Sequence, residues 1–218
     1  MLKKYRLPII TVFAVLFIDQ CIKLYIKANY PIGEVHRFFD WCRITFTENP
    51  GMAWGLEFGG DYGKLALSLF RVAAVIAGAF YIKKIVNEGE HKGFIICVSL
   101  ILAGALGNIL DSAFYGLLFG ESTEYSVAQF MPEGGGYAGF LQGHVVDMFY
   151  FPMYEGNFPE WFPIWGGEHF EFFNAIFNFA DMAISFGVGI ILVFQTFFFK
   201  PKTNPEESQV TKEEQSTN

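Results

Sequence analysis

From Gly93 to Phe199 the chain contains no lysine and no arginine. Within that stretch, residues 120–171 carry eight acids and no base. Charged residues are only 17% of the 218, whereas 52% are hydrophobic and 27 are Phe. Soluble domains of this size rarely combine such values, and no nucleic-acid partner is expected. There are three cysteines, at 21, 42 and 97, too few for a disulfide framework. Cys21 and Cys97 fall in apolar runs, where a free thiol behaves as a small hydrophobe. There is no His-Glu-x-x-His among the four histidines, so the zinc-peptidase signature is absent. His144 with Asp147 three residues on is a weak metal signal, and neither metal nor cofactor is expected. No Ser or Cys has a legible base and orienter. No small-residue cleavage site follows the first apolar run, and Ile18-Asp19-Gln20 lacks the small residues of a lipobox before Cys21. The run is therefore expected to stay in the protein as a span.

Four apolar stretches are present, over residues 7–26, 65–85, 94–119 and 173–199. About 20 helical residues cross the roughly 30 Å hydrocarbon core. Nine of the 15 basic residues lie in three places: Lys3, Lys4 and Arg6; Lys83, Lys84 and Lys92; Lys200, Lys202 and Lys212. With four spans these places share one side, which the positive-inside rule makes cytoplasmic. The sequence thus predicts an all-α membrane protein: four transmembrane helices, a small external β-like segment near residues 43–47, and external loops. Residues 1–199 would form one membrane-embedded domain, with 28–63 and 120–172 external. Residues 200–218, rich in Pro, Ser, Thr and Glu, read as a disordered cytoplasmic tail.

The acids then stand out. Asp147 ends Gly143-His144-Val-Val-Asp147, and Asp181 ends Phe177-Asn178-Phe-Ala-Asp181. An ionised carboxylate near hydrocarbon is costly and marks function by default, and no base exists in this half of the chain to pair with either. Two carboxylates brought together hold one proton between them. That is the state that activates water against an amide, although spacing alone does not bring them together. Asp19 and Lys23 share a helix face and read as an ion pair with Lys23 snorkelling outward. Asn49-Pro-Gly51 opens a polar turn. In Gly104-Ala-Leu-Gly107-Asn108-Ile-Leu-Asp111 the glycines allow close helix approach, and Asn108 and Asp111 read as helix-packing polar groups. The acidic, aromatic segments 120–142 and 152–171 are expected to fold over the aspartates as a mobile rim hinged at Gly134-Gly135-Gly136.

Taken in order, Asp19-Gln-Cys-Ile-Lys23, Asn49-Pro-Gly-Met-Ala-Trp-Gly55, Gly104-Ala-Leu-Gly-Asn108-Ile-Leu-Asp111, Val145-Val-Asp147 and Phe177-Asn-Phe-Ala-Asp181 resemble the lipoprotein signal peptidases, or type II signal peptidases, over roughly residues 10–195. The resemblance implies a bacterial inner-membrane aspartic peptidase with both termini cytoplasmic. It would remove signal peptides from diacylglyceryl-prolipoproteins just before the lipidated cysteine. Asp147 and Asp181 fall on the family's catalytic aspartates. Asn49, Asn108 and Asn178 fall on residues lining its site, and Arg71 matches a further site arginine. Asp19, Lys23, Gly51 and Asp111 would shape the site. Partners would be the prolipoprotein and membrane lipids, with the enzyme a monomer. Ser112 departs from the family's Arg after the third-motif Asp, leaving Lys23 or Arg71 to neutralise Asp111. The loops around Asp147 are also longer than the family's. Two rivals follow: a proton-coupled transporter subunit with the acids as a relay, disfavoured by the absence of an inverted repeat, and a catalytically dead assembly protein of the same fold.

Overall fold

A computed structural model of the protein describes residues 2–50 and 60–199. The expectations placed on Gly51, on the rest of its turn and on the 200–218 tail lie outside these residues. A short turn, Leu2–Tyr5, leads into α1 (Arg6–Asn29). A hairpin of β1 (Val35–Phe39) and β2 (Cys42–Asn49) follows. Then come α2 (Gly60–Asn87) and α3 (Lys92–Leu110). The third helix runs on through a π turn, Asp111–Tyr115, into a last short turn, α4 (Gly116–Leu118). After a long connection come β3 (Val145–Tyr150), β4 (Tyr154–Asn157), β5 (His169–Phe172) and β6 (Ile176–Phe177). The described chain closes with α5 (Phe179–Val193) and α6 (Gln195–Phe198).

Three helical stretches are long and apolar enough to cross a membrane: Lys3–Asn29, Gly63–Asn87 and Lys92–Leu118. The fourth apolar helix, Phe179–Val193, is shorter. Its start corrects the expected span of residues 173–199. Ile176 and Phe177 are spent pairing with Tyr150 and Phe149 of β3, so the helix begins only after Asn178, which caps it. The all-α reading is corrected too. An antiparallel sheet in the order β1-β2-β3-β6 stands on the bundle, with β4 and β5 forming a separate hairpin. The β-like segment near residues 43–47 is real, but it is half of a sheet whose other half carries Asp147. Gly143-His-Val-Val-Asp147 does not alternate apolar and polar residues, so no strand was legible there.

Glycines set how closely the helices meet. A methyl group on Gly104 would lie 2.3 Å from the Ala180 carbonyl oxygen, and one on Gly107 would lie 2.7 Å from Asp19 Oδ2. These positions bring α3 against the first turn of α5 and against α1. Val15, Ala103 and Ala183 fill the centre of that three-helix contact. A second core lies behind the sheet, where Phe46, Val146 and Met148 pack on Ile26, Tyr115, Phe119 and Ala128.

The connection from 120 to 142 is not the mobile rim expected of it. It lies behind the sheet: Ala128 joins that core, and Ala138 N donates to Gly116 O and Tyr137 N to Phe119 O. Gly136 sits so close that a methyl group would lie 2.0 Å from Gly116 O, a packed position and not a joint. The other insertion, 152–175, does border the aspartate side, as described below.

The helix approach gives a direct test. Gly104→Val should drive α3 from α5 and lower stability by about 1–3 kcal/mol, read as a drop in thermal midpoint of the purified protein. Gly189→Ala, at a glycine with open space around it, should leave the midpoint unchanged.

Candidate active site

The site begins with the first turn of α5. A helix N-terminus leaves its first backbone N–H groups without intrahelical partners. Here Asn178 accepts from Asp181 N at 2.9 Å, and the Asp181 carboxylate accepts from Asn178 N at 3.2 Å, a reciprocal capping box. The Ala180 N–H is taken by Asp19 of α1 at 2.9 Å. Asp181 is thus locked by its own helix end and by a neighbouring helix.

Asp147 arrives from β3. Asn178 Nδ2 donates to its Oδ1 at 2.6 Å, and Asn49 Nδ2, from β2, donates to its Oδ2 at 3.3 Å. Asn178 therefore touches both aspartates. Asn108 of α3 joins the group, donating to Asp181 Oδ1 at 2.9 Å and accepting from Asn178 at 3.1 Å. Asp147 is 3% exposed and Asn178 fully buried. Three asparagines and two aspartates from four elements meet at one point.

Burial raises the Asp147 carboxyl, and the charge of Asp181 raises it further, to about 7. The Asn178 and Asn49 hydrogen bonds and the Lys23 charge oppose the rise without cancelling it. Arg71 of α2 lies within electrostatic reach of both aspartates. The two carboxylates interact, so their protons belong to the pair.

Behind the aspartates lies a buried ionic cluster. Lys23 Nζ sits 3.0 Å from Asp19 Oδ2 and 2.8 Å from Asp111 Oδ2, with all three side chains fully buried. It also donates to Asn108 Oδ1 at 2.8 Å. The expected Asp19–Lys23 pair is present, but Lys23 does not snorkel: two carboxylates and an amide draw its ammonium inward. Asp111, which lacks a following Arg, is neutralised by Lys23. Ser112 turns back to the Asn108 carbonyl at 3.1 Å. Asp111 Oδ2 also accepts from Val146 N at 3.2 Å, so the cluster holds the strand immediately before Asp147. Asn108, read from its own motif as helix packing and from the resemblance as lining the site, touches Asp181 directly.

Gln20 carries a role the sequence reading did not assign. Its amide donates to Asp111 at 2.8 Å and Asp19 at 3.1 Å and accepts from the Tyr115 hydroxyl at 3.2 Å. Its place between Asp19 and Lys23 was the only signal available. His144 turns away to Glu48. Among the described residues no group of three or more His, Cys, Asp or Glu has the arrangement of a metal site.

Beside Asp181 opens an apolar cavity of about 500 Å³. Met182 and Phe186 of α5 form one wall, with Met153, Phe173 and Phe177 opposite. Asp181 is itself among the lining residues, so an extended apolar segment lying in the cavity would reach that carboxylate.

The family model of signal peptidase (SPase) II matches residues 11–198. The lipoprotein signal peptidase of Porphyromonas gingivalis is 49% identical over 179 residues, covering 82% of this chain and 77% of that protein. That of Amoebophilus asiaticus is 33% identical over 180 residues, covering 81% and 72%. A bacterial membrane enzyme solved by the in meso method at 2.3 Å shares the fold, with a TM-score of 0.55 and 23% identity over 90% of this chain and 93% of that one. These likenesses favour the peptidase and lend nothing to the transporter reading. With five ordered motifs, a bundle-and-sheet fold and a family match over residues 11–198, this chain belongs to the signal peptidase II family.

Proposed function

We propose that this lipoprotein signal peptidase hydrolyses with Asp147 and Asp181 as an aspartic dyad, releasing signal peptides from diacylglyceryl-prolipoproteins just before the lipidated cysteine. The observation that carries the reading is Asn178, whose side-chain amide donates to the Asp147 carboxylate and whose backbone N–H donates to the Asp181 carboxylate, so that one residue joins two acids from different elements. In the resting pair Asp147 holds the shared proton. Water then attacks the scissile carbonyl carbon. Asp181 takes a proton from that water, and Asp147 gives its own to the carbonyl oxygen. Collapse of the tetrahedral diol breaks the C–N bond: one diol hydroxyl returns its proton to Asp147, and the proton held by Asp181 passes to the leaving amine. Asn49, Asn108 and Asn178 fix the carboxyl orientations. Arg71 and Lys23 moderate the charge, while Asp19 and Asp111 hold the elements in place. Gly51 is read with Asn49 as part of the peptide platform.

The apolar cavity is the substrate's way in, and the acidic, aromatic arm 152–175 forms its outer lip. Met153, Trp161 and Ile164 are exposed there by 63%, 79% and 85%, as suits the interface region. The enzyme is read as a monomer in the bacterial inner membrane, surrounded by lipid, with termini cytoplasmic and sheet external.

Substitution tests the dyad. Asp147→Asn and Asp181→Asn should each abolish cleavage of a diacylated prolipoprotein in a gel-shift assay, with the protein still accumulating in the membrane. The double variant should lose no more than either single one, because the two act as a unit. Turnover near the parent's by either single variant overturns the dyad.

The pH profile follows from the raised Asp147 carboxyl. Below about pH 7 Asp147 keeps its proton; above it the pair becomes doubly ionised and no acid remains for the carbonyl oxygen. The rate should therefore fall on the alkaline side with a midpoint near 7. Stability has the same sign: a carboxyl raised in the folded state contributes fully below its unfolded value, and that contribution is lost as pH rises through about 7. A flat kcat between pH 6 and 9 contradicts the assignment.

Sidedness is checked by cysteine labelling in intact cells of a variant freed of native cysteines. Position 135 should react from outside and position 87 should not; the reverse pattern inverts the topology.

A further inference from the structure

The strand pair carrying Asn49 and Asp147 has a second face. Directly opposed residues of an antiparallel pair share a side. Thr47 faces Asp147 and Asn49 faces Val145, whereas Glu48 faces Val146. Glu48 thus points away from the aspartates, into the region behind the sheet. There it meets Lys27, which is fully buried. Lys27 Nζ is paired with Glu48 Oε1 and donates to Ser122 Oγ at 3.1 Å. The Ser122 hydroxyl donates to the same carboxylate at 2.7 Å, and His144 Nδ1 lies 3.1 Å from its other oxygen. The ammonium sits 5.3 Å from the Phe119 ring and 5.1 Å from that of Tyr137, within cation–π range. Burial by itself would raise the Glu48 carboxyl; the His144 hydrogen bond, Lys27 and Ser122 hold it down at about 2. None of these groups is used in the cleavage chemistry.

The pairing of β2 with β3 contains an irregularity just before the site. Ile44 pairs with Phe149, but Thr47 pairs with Asp147, so three steps along β2 answer two along β3. Inside this bulge the Thr45 hydroxyl is buried with no hydrogen-bond partner among the described residues. Bulges next to active sites re-aim side chains, and a one-residue slip turns every later side chain to the other face. Here a slip would carry Asn49 behind the sheet and bring Glu48 against the aspartates. The backbone ladder alone does not forbid it. A carboxylate that finds an ammonium, a hydroxyl and an imidazole on one side only does forbid it.

We propose that Glu48, held by Lys27, Ser122 and His144, is the register lock of the catalytic strand pair, a positioning residue that decides which face of β2 meets Asp147. The lock also gives the 120–142 insertion a task, since it supplies Ser122 and Tyr137. The proposal rests on the reading of Asp147 as catalytic.

The test compares Glu48→Gln, Ser122→Ala and the double variant Lys27→Met with Glu48→Leu, using Asp147→Asn as control. Each is measured for kcat, KM, the midpoint of the alkaline limb and the thermal midpoint. Glu48→Gln should lower kcat about ten- to hundredfold, the scale of a misplaced catalytic group, with KM near the parent's. The alkaline limb should move upward, because the Asn49 hydrogen bond that lowers Asp147 is lost. Ser122→Ala should shift both in the same direction by less, and it serves if Glu48→Gln fails to fold. The double variant leaves no unpaired buried charge, so its thermal midpoint should recover while the kcat deficit and the shifted limb persist. Recovery of all three in the double variant overturns the lock, as do single variants that lower only the thermal midpoint. Full activity in Asp147→Asn would instead defeat the dyad reading, whatever Glu48 does. An inactive Asp147→Asn beside an unaltered Glu48→Gln defeats the lock alone.

Discussion

The ammonium of Lys23 has no route to water, and that constraint organises the bundle. An unpaired buried cation costs several kcal/mol, so its neighbours must be carboxylates held at fixed distance. Asp19 comes from one turn earlier on the same helix, and Asp111 from the end of α3. Meeting both requires α1 and α3 to cross closely, which Gly107 permits by leaving room for Asp19 Oδ2. Each carboxylate then has a second oxygen or lone pair to spend. Asp19 spends it on Ala180 N at the head of α5. Asp111 spends it on Val146 N in β3. One buried charge thereby fixes the two elements that deliver the two site aspartates. The third donation of Lys23, to Asn108, ties the same charge to the amide that holds Asp181.

The π turn after α3 is the joint between bundle and sheet. A wider turn leaves carbonyls free of the usual i−4 partner. The Ser112 carbonyl accepts from Gly143 N, and beyond the turn the Gly116 carbonyl accepts from Ala138 N. The chain before β3 is therefore laid against the helix end, close enough that a methyl group on Gly143 would lie 2.5 Å from Asp111 O. This geometry brings a strand residue, Asp147, to the same asparagine that caps a helix carrying Asp181.

Much of this was legible in the sequence, and the illegible part has physical reasons. Three spans showed in length and hydropathy. Asp147 and Asp181 stood out because ionised groups near hydrocarbon are costly without a purpose, whereas Asn49, Asn108, Asn178 and Arg71 were placed at the site only by the family resemblance. The start of α5 was misjudged because Phe173, Ile176 and Phe177 are as apolar in a strand as in a helix. The sheet was only half visible because β3 is buried, and a buried strand does not alternate. Lys23 was expected to reach for the interface although the missing Arg after Asp111 already offered it, beside Arg71, as that acid's partner; a sequence does not show that the approach of Asp111 draws the ammonium inward. Lys27, Glu48 and Ser122 drew no attention for the same reason: they are far apart in the chain and meet only behind the sheet.

The two long segments around Asp147 differ in how they satisfy their backbone groups. Loop closure adds little cost with length, so an insertion persists where its own backbone groups find partners. The 120–142 segment does so through the free carbonyls of the α3 end and through a core shared with Phe46 and Val146. It has become part of the wall that supports the strands. The 152–175 segment instead satisfies its backbone internally, as the β4–β5 hairpin, and is tied to the main sheet by Arg43 to Glu155 and Tyr150 to Glu171. Of its exposed apolar side chains, Met153 and Phe173 border the cavity beside Asp181, while Phe158, Phe162, Trp165 and Phe170 pack on one another within the arm. The chemistry proposed for Asp147 and Asp181 is thus compatible with two long segments around them, because one braces the strands from behind and the other borders the cavity beside Asp181.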